Sequence, residues 1–149
     1  MKKILVVNGP NLNLLGFREK DVYGKSSIED LEITILNECK KHDVIVDFFQ
    51  SNCEGKIIDK LHESIGVYEG IIINPGAYTH YSFAIYDAIK AINIPTVEVH
   101  ISNIYSREEF RQNSVIAKAC IGQISGFGFY SYVLAVYSLV DYFKKGENK

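Results

Sequence analysis

Short blocks of consecutive apolar residues recur along the chain, and a stretch with helical spacing follows most of them. Ile4-Leu5-Val6-Val7 is halted by Asn8-Gly9-Pro10, and Ile71-Ile72-Ile73 by Asn74-Pro75-Gly76. Apolar blocks this short and uninterrupted suit strands covered on both faces. Val44 to Phe49, Thr96 to Val99 after Pro95, and Ala119 to Ile124 read as three more strands.

Helical patterns fill the intervals. Ser26 followed by Glu29 predicts a capping box, and Ile28, Leu31, Ile35 and Cys39 then recur at helical spacing up to about His42. A second helix is expected over Glu54 to Val67, with Ile57, Ile58, Leu61 and Ile65 on one face. A third, from about Ser82 to Ile92, buries Ala84, Ile85, Ala88 and Ile89, and a last spans about Tyr130 to Lys145 with Gly146 as its C-cap. Strands joined by helical crossovers predict an α/β fold. The expected form is a flavodoxin-like, doubly wound five-stranded parallel sheet of order 2-1-3-4-5, with helices on both faces. No linker or repeat divides the chain, so residues 1–149 are expected to form a single domain.

Composition narrows the function classes. Sixteen basic and 18 acidic residues leave a net charge of −2, too weak a field to suggest a nucleic acid or an anionic membrane as partner. Cys39, Cys53 and Cys120 are odd in number and widely spaced, which fits reduced thiols in the cytoplasm. Lys2-Lys3 is followed by too few apolar residues for a secretory segment. The apolar run from Tyr130 to Phe143 is too short for a membrane helix and is interrupted by Ser131, Ser138 and Asp141.

Open parallel sheets bind ligands beyond the carboxyl ends of their strands. Beyond the first strand come Asn8, Asn11 and Asn13, then Arg18 and Tyr23 within the long irregular stretch Gly9 to Lys25. A long loop in a compact domain is usually functional, often as a lid. Beyond the second come Gln50, Ser51 and Asn52, and beyond the third Asn74, Gly76 and His80. Beyond the fourth come His100, Ser102 and Asn103, then Arg107 and Arg111, whose spacing of four suggests one face of a short helix. Four loops thus bring polar side chains to one edge.

Each residue also has a plain reading. Tyr23 is one of ten tyrosines, and packing explains most of them; beside Arg18, however, its phenolate would be favoured. His100 is either a satisfied polar residue at a strand end or a general acid, since an imidazole titrates near ~6.5. Asn74-Pro75-Gly76 is a turn by local chemistry, and Arg107 and Arg111 pair equally well with Glu108 and Glu109. The chain carries no phosphate loop, no dinucleotide fingerprint after a strand, no metal-ligand spacing and no nucleophile elbow. Acids and bases without those features suggest proton-transfer chemistry such as isomerisation or elimination, with no cofactor.

Several motifs, in order, resemble those of type II 3-dehydroquinate dehydratases. They are Asn11-Leu-Asn-Leu-Leu-Gly-Phe-Arg-Glu, Tyr23-Gly24, Gln50-Ser-Asn-Cys-Glu-Gly, Ile73-Asn-Pro-Gly-Ala-Tyr-Thr-His80, Glu98-Val-His-Ile-Ser-Asn103, Arg107-Glu-Glu-Phe-Arg111 and Gly126-Phe-Gly128. The resemblance implies dehydration of 3-dehydroquinate to 3-dehydroshikimate in the shikimate pathway, by anti elimination through an enolate, with no metal, nucleotide or Schiff base. It implies Tyr23 as the base, with Arg18 and Arg107 favouring its phenolate. Asn11 would hold a water at the enolate oxygen, and His100 would protonate the leaving hydroxyl with Glu98 in support. It further implies that the N–H groups of Ile101 and Ser102 take the substrate carboxylate, and that Asn74, Gly76, His80 and Arg111 bind the ring. The family's dodecamer of trimers would bring Asp87 to a neighbouring site. Tyr81 and Tyr86 stand where many members carry smaller or basic residues. The rival is a flavodoxin-like ligand-binding module without catalysis, which the fold alone permits.

Overall fold

A computed structural model describes residues 1–17, 21 and 26–148. Among them, five strands form one parallel sheet: β1 (Lys2–Asn8), β2 (Val44–Gln50), β3 (Gly70–Asn74), β4 (Thr96–His100) and β5 (Gly122–Ser125). Their spatial order is β2-β1-β3-β4-β5, as expected from the alternating pattern. The α-helices described whole are α1 (Ile28–Lys41), α2 (Glu54–Glu63), α3 (Phe83–Ile92) and α4 (Tyr130–Glu147).

Alternation along the strands divides the core into two layers. Ile4, Val6, Ile72, Val97 and Val99 face α1 and α4, packing on Leu31, Ile35, Tyr132, Val136 and Leu139. Leu5, Val7, Ile71 and Ile73 face α2 and α3, packing on Ile57, Leu61, Ile85 and Ile89. Both faces of β1 and β3 are therefore covered, which is why their sequences run apolar without alternation. Among the described residues no helix is long and apolar enough to cross a membrane.

The helix boundaries differ from the sequence reading in particular places. The capping box of α1 is Ser27 with Asp30, not Ser26 with Glu29: Ser27 Oγ accepts from the Asp30 N–H, and the Asp30 carboxylate accepts from the Ser27 N–H. Helix α2 stops at Glu63, where the Ser64 hydroxyl takes the Lys60 carbonyl and Gly66 turns at φ 77°, so Ile65 is exposed. Ala84 is exposed on α3. Gly146 lies inside α4, and Asn148 caps that helix with its N–H on Lys144 and Gly146. The fifth strand begins at Gly122, because the N–H groups of Ala119 and Cys120 close a tight turn on Ile116 and Ala117.

Two features fix the carboxyl edge of the sheet. The Gly9 N–H donates to the Asn74 carbonyl at 2.8 Å, and a Cβ at Gly9 would lie 2.6 Å from the Pro75 carbonyl oxygen. Only glycine permits so close an approach of the loops after β1 and β3. Beneath them, the fully buried Tyr132 hydroxyl donates to Asn8 Oδ1 at 2.7 Å and accepts from Asn74 Nδ2 at 2.9 Å. One phenol from α4 thus joins the last residues of the two central strands. Replacing Tyr132 by Phe strands both buried amides and is expected to cost about 1–3 kcal/mol. In urea unfolding the midpoint should fall at unchanged slope; an unchanged midpoint contradicts this account of the bridge.

Candidate active site

Strand β4 carries the chemistry. All five of its residues are buried, yet its third is Glu98 and its last is His100. Spaced by two, they share a face, the one toward α2 and α3, while Val97 and Val99 fill the other. Glu98 is fully shielded from solvent and His100 is 5% exposed. His100 Nε2 lies 2.5 Å from Glu98 Oε2.

Three further side chains donate to the same carboxylate. Thr79 Oγ1 reaches Oε2 at 2.9 Å, Gln123 Nε2 reaches Oε2 at 2.9 Å, and Ser114 Oγ reaches Oε1 at 2.8 Å. Burial pushes the Glu98 carboxyl up, but hydrogen bonds and charge from His100, with those from Ser114 and Gln123, outweigh it and leave the group below its usual value. The magnitudes agree: hydrogen bonds to a charged group contribute roughly 1.5–3 kcal/mol each, enough together to offset the several kcal/mol that burial of a carboxylate costs. An ionised Glu98 can only accept, so His100 presents a protonated Nε2 to it and leaves Nδ1 for the cleft.

The cleft lies beyond the carboxyl edge of β1, β3 and β4. Its wall includes Asn11, Asn74, Gly76, His80, His100, Ile101, Ser102, Arg107 and Arg111, all singled out from sequence. Asn74 is held by Tyr132 on one side and by the Gly76 N–H, which donates to Asn74 Oδ1, on the other. Asn11 turns the chain at φ 69°, and its N–H donates to Asn52 Oδ1. Gln50 Nε2 donates to the Gly9 carbonyl and to Asn52 Oδ1, tying the β2 loop to the β1 loop. The backbone of His100 and Ile101 is clamped from the far side, where the N–H groups of Gly126 and Gly128 donate to their carbonyls.

His80 Nδ1 donates to the Asn113 carbonyl at 2.8 Å. Burial holds its pKa below the ordinary histidine value, against the raising effect of that bond. The neutral ring therefore carries its proton on Nδ1 and offers Nε2 as an acceptor.

Arg107 and Arg111 both reach the cleft, but they do not share a helix. Ile104–Ser106 and Glu109–Arg111 are separate 3-10 turns, with Arg107 in extended backbone between them. Asn103 caps the start of the first turn by accepting the Tyr105 N–H, and the extended backbone at Arg107 ends it. Arg107 Nη1 donates to Ser102 Oγ at 3.4 Å. Arg111 Nε donates to Glu108 at 2.7 Å, and its guanidinium stacks 4.7 Å from the Phe110 ring centre. The bond from Arg111 also holds the Glu108 carboxyl below its ordinary value.

Other sequence candidates fall elsewhere. Glu98 stands behind His100 rather than on the wall, and Asp87 is exposed on α3 away from the cleft. Arg18 and Tyr23 lie outside the described residues. Sequence reading missed Tyr132, Thr79, Ser114 and Gln123. Thr79 sits beside His80 in a motif already noted, and Gln123 is a polar residue facing inward on an edge strand; Ser114 has no signal of its own. Among the described residues no three His, Cys, Asp or Glu side chains gather as metal ligands.

Comparison with known proteins gives a consistent result. The model of the family described as dehydroquinase class II matches residues 2–140. A 3-dehydroquinate dehydratase of Caldicellulosiruptor saccharolyticus is 64% identical over 142 residues, covering 95% of this chain and 98% of the relative. One of Clostridium acetobutylicum is 59% identical over 143 residues, covering 96% and 99%. The crystal structure of a type II dehydroquinase from Butyrivibrio crossotus superposes with a TM-score of 0.90 at 50% identity, covering 94% of this chain and 97% of that one. The chain belongs to the class II dehydroquinase family.

Proposed function

We propose that this protein dehydrates 3-dehydroquinate to 3-dehydroshikimate, in the shikimate pathway, by anti elimination through an enolate. Family membership supports the overall reaction. The observation that carries the chemistry is the buried Glu98–His100 pair, whose histidine lines a cleft that also holds two arginines.

Removing a proton next to a ketone places negative charge on the carbonyl oxygen, so preorganised donors must meet it. A β-hydroxyl leaves only if it is protonated. In this reading Tyr23, as phenolate, takes the proton, with Arg18 and Arg107 favouring its charged form. Asn11 holds a water at the enolate oxygen. His100, doubly protonated and backed by Glu98, gives a proton to the hydroxyl, which departs as water while the carbon–carbon double bond forms. The proton gained by Tyr23 then returns through solvent to His100, so the sum is loss of one water.

The rest of the cleft binds the ring. The N–H groups of Ile101 and Ser102 take the carboxylate, where Arg107 lies against Ser102. Asn74, Gly76, His80 and Arg111 take the hydroxyls, the Nε2 lone pair of His80 accepting one of them. Loop closure by the segment carrying Arg18 and Tyr23 would exclude water and strengthen these contacts.

The reading extends to a single cytoplasmic catalytic domain assembled as a dodecamer of trimers, in which Asp87 reaches a neighbour's site. The exposed apolar residues Tyr81 and Phe83 on and before α3 are compatible with such burial. Sedimentation should give the mass of twelve chains; a monomer in solution contradicts the assembly.

Purified protein, treated with chelator or with borohydride in the presence of product, should still convert 3-dehydroquinate, read from the ultraviolet absorbance of the conjugated enone. The Tyr23→Phe protein should keep its fold and lose about 10²–10⁴-fold in kcat. Substantial turnover by that variant removes Tyr23 from the mechanism, and no turnover by folded wild-type protein removes the reaction.

A further inference from the structure

We infer that Ser114 and Gln123 are positioning residues for proton transfer at His100, acting through opposite oxygens of the Glu98 carboxylate. The inference rests on the elimination proposed above.

Ser114 is set to give its only proton to Glu98. Its oxygen accepts the N–H groups of Ile116 at 3.2 Å and Ala117 at 3.0 Å, and its hydroxyl then donates to Glu98 Oε1 at 2.8 Å. Two backbone donors occupy its lone pairs, so the hydroxyl hydrogen cannot turn away without leaving one of them unmatched. Gln123 works from the edge strand. Its Oε1 accepts from Tyr105 Oη at 3.3 Å and Ser125 Oγ at 3.4 Å, and its Nε2 donates to Glu98 Oε2 at 2.9 Å. The ionised carboxylate cannot donate, so the amide must present its NH2 group there.

These two contacts come from segments outside the cleft wall, and neither residue lines the cleft. From there they engage both carboxylate oxygens of Glu98. With the carboxylate pinned, the His100 ring has one orientation, and its Nδ1 stays aimed at the leaving group. Among the described residues, the other titratable groups near Glu98 are His100 and His80, and Cys120, whose thiol is pushed up to about 12 by burial and then by the Glu98 charge.

The same donors also disperse the carboxylate charge. Removing one concentrates that charge and raises the proton affinity of the His100–Glu98 pair. A purely structural role predicts no such movement.

The test uses the full chain and two readouts: steady-state kinetics with 3-dehydroquinate, and the His100 ring titration followed by NMR. Ser114→Ala and Gln123→Met should lower kcat by about tenfold or more with KM within about twofold. In both, the His100 midpoint should move to higher pH, and in Gln123→Glu, where a second carboxylate faces Glu98, it should move furthest. Ser114→Thr, which keeps the hydroxyl, should restore both readouts. Ser114→Ala removes a single oxygen and so gives a folded case if a Gln123 variant does not fold. Wild-type kcat with an unmoved midpoint in folded Ser114→Ala overturns the inference. So does a loss that Ser114→Thr fails to restore. Wild-type protein that does not turn over 3-dehydroquinate defeats the proposed reaction instead, and the NMR midpoints alone then decide whether these residues act on His100.

Discussion

A carboxylate sealed from water stays charged only if donors surround it, and the cleft is organised around one that does. Glu98 occupies the middle of a fully buried strand and receives hydrogen bonds from β4 itself, from the turn after β3, from the loop before β5 and from β5. Each donor lies on a different segment, so the group that fixes His100 also holds those segments in register. Remove the charge, and four separately placed side chains lose their common acceptor.

The sheet supplies the second constraint. Order β2-β1-β3-β4-β5 brings the ends of β1, β3 and β4 side by side, and the Gly9 contact with Pro75 brings two of their loops to van der Waals distance. Tyr132 braces the opposite face of the same edge through Asn8 and Asn74. The two buried polar systems therefore sit back to back across the sheet, one toward α2 and α3 and one toward α4.

Much of this was legible in the residues alone. Blocks such as Ile71-Ile72-Ile73 announce strands covered on both faces, and the punctuation after each one marks the functional edge. His100, Asn74 and Ser102 follow from that rule. The errors have local causes. Ala119 and Cys120 read as strand because they are apolar, but their N–H groups close a turn first. Arg107 and Arg111 have helical spacing, but the extended backbone at Arg107 ends the first turn after three residues. Ser114, Gln123 and Tyr132 stayed invisible because their partners lie 16 to 124 residues away, and no local pattern encodes a contact of that range.

The central claim is that base and acid act from opposite faces of the substrate. It is tested most directly with 3-dehydroquinate carrying deuterium in place of only one of the two hydrogens on the methylene carbon between the ketone and the carbon that bears the departing hydroxyl. After turnover, mass spectrometry of the product shows which hydrogen has left. The account predicts loss of the hydrogen anti to the departing hydroxyl and retention of the other. Loss of the syn hydrogen, or of both equally, would contradict it and require acid and base to be assigned afresh.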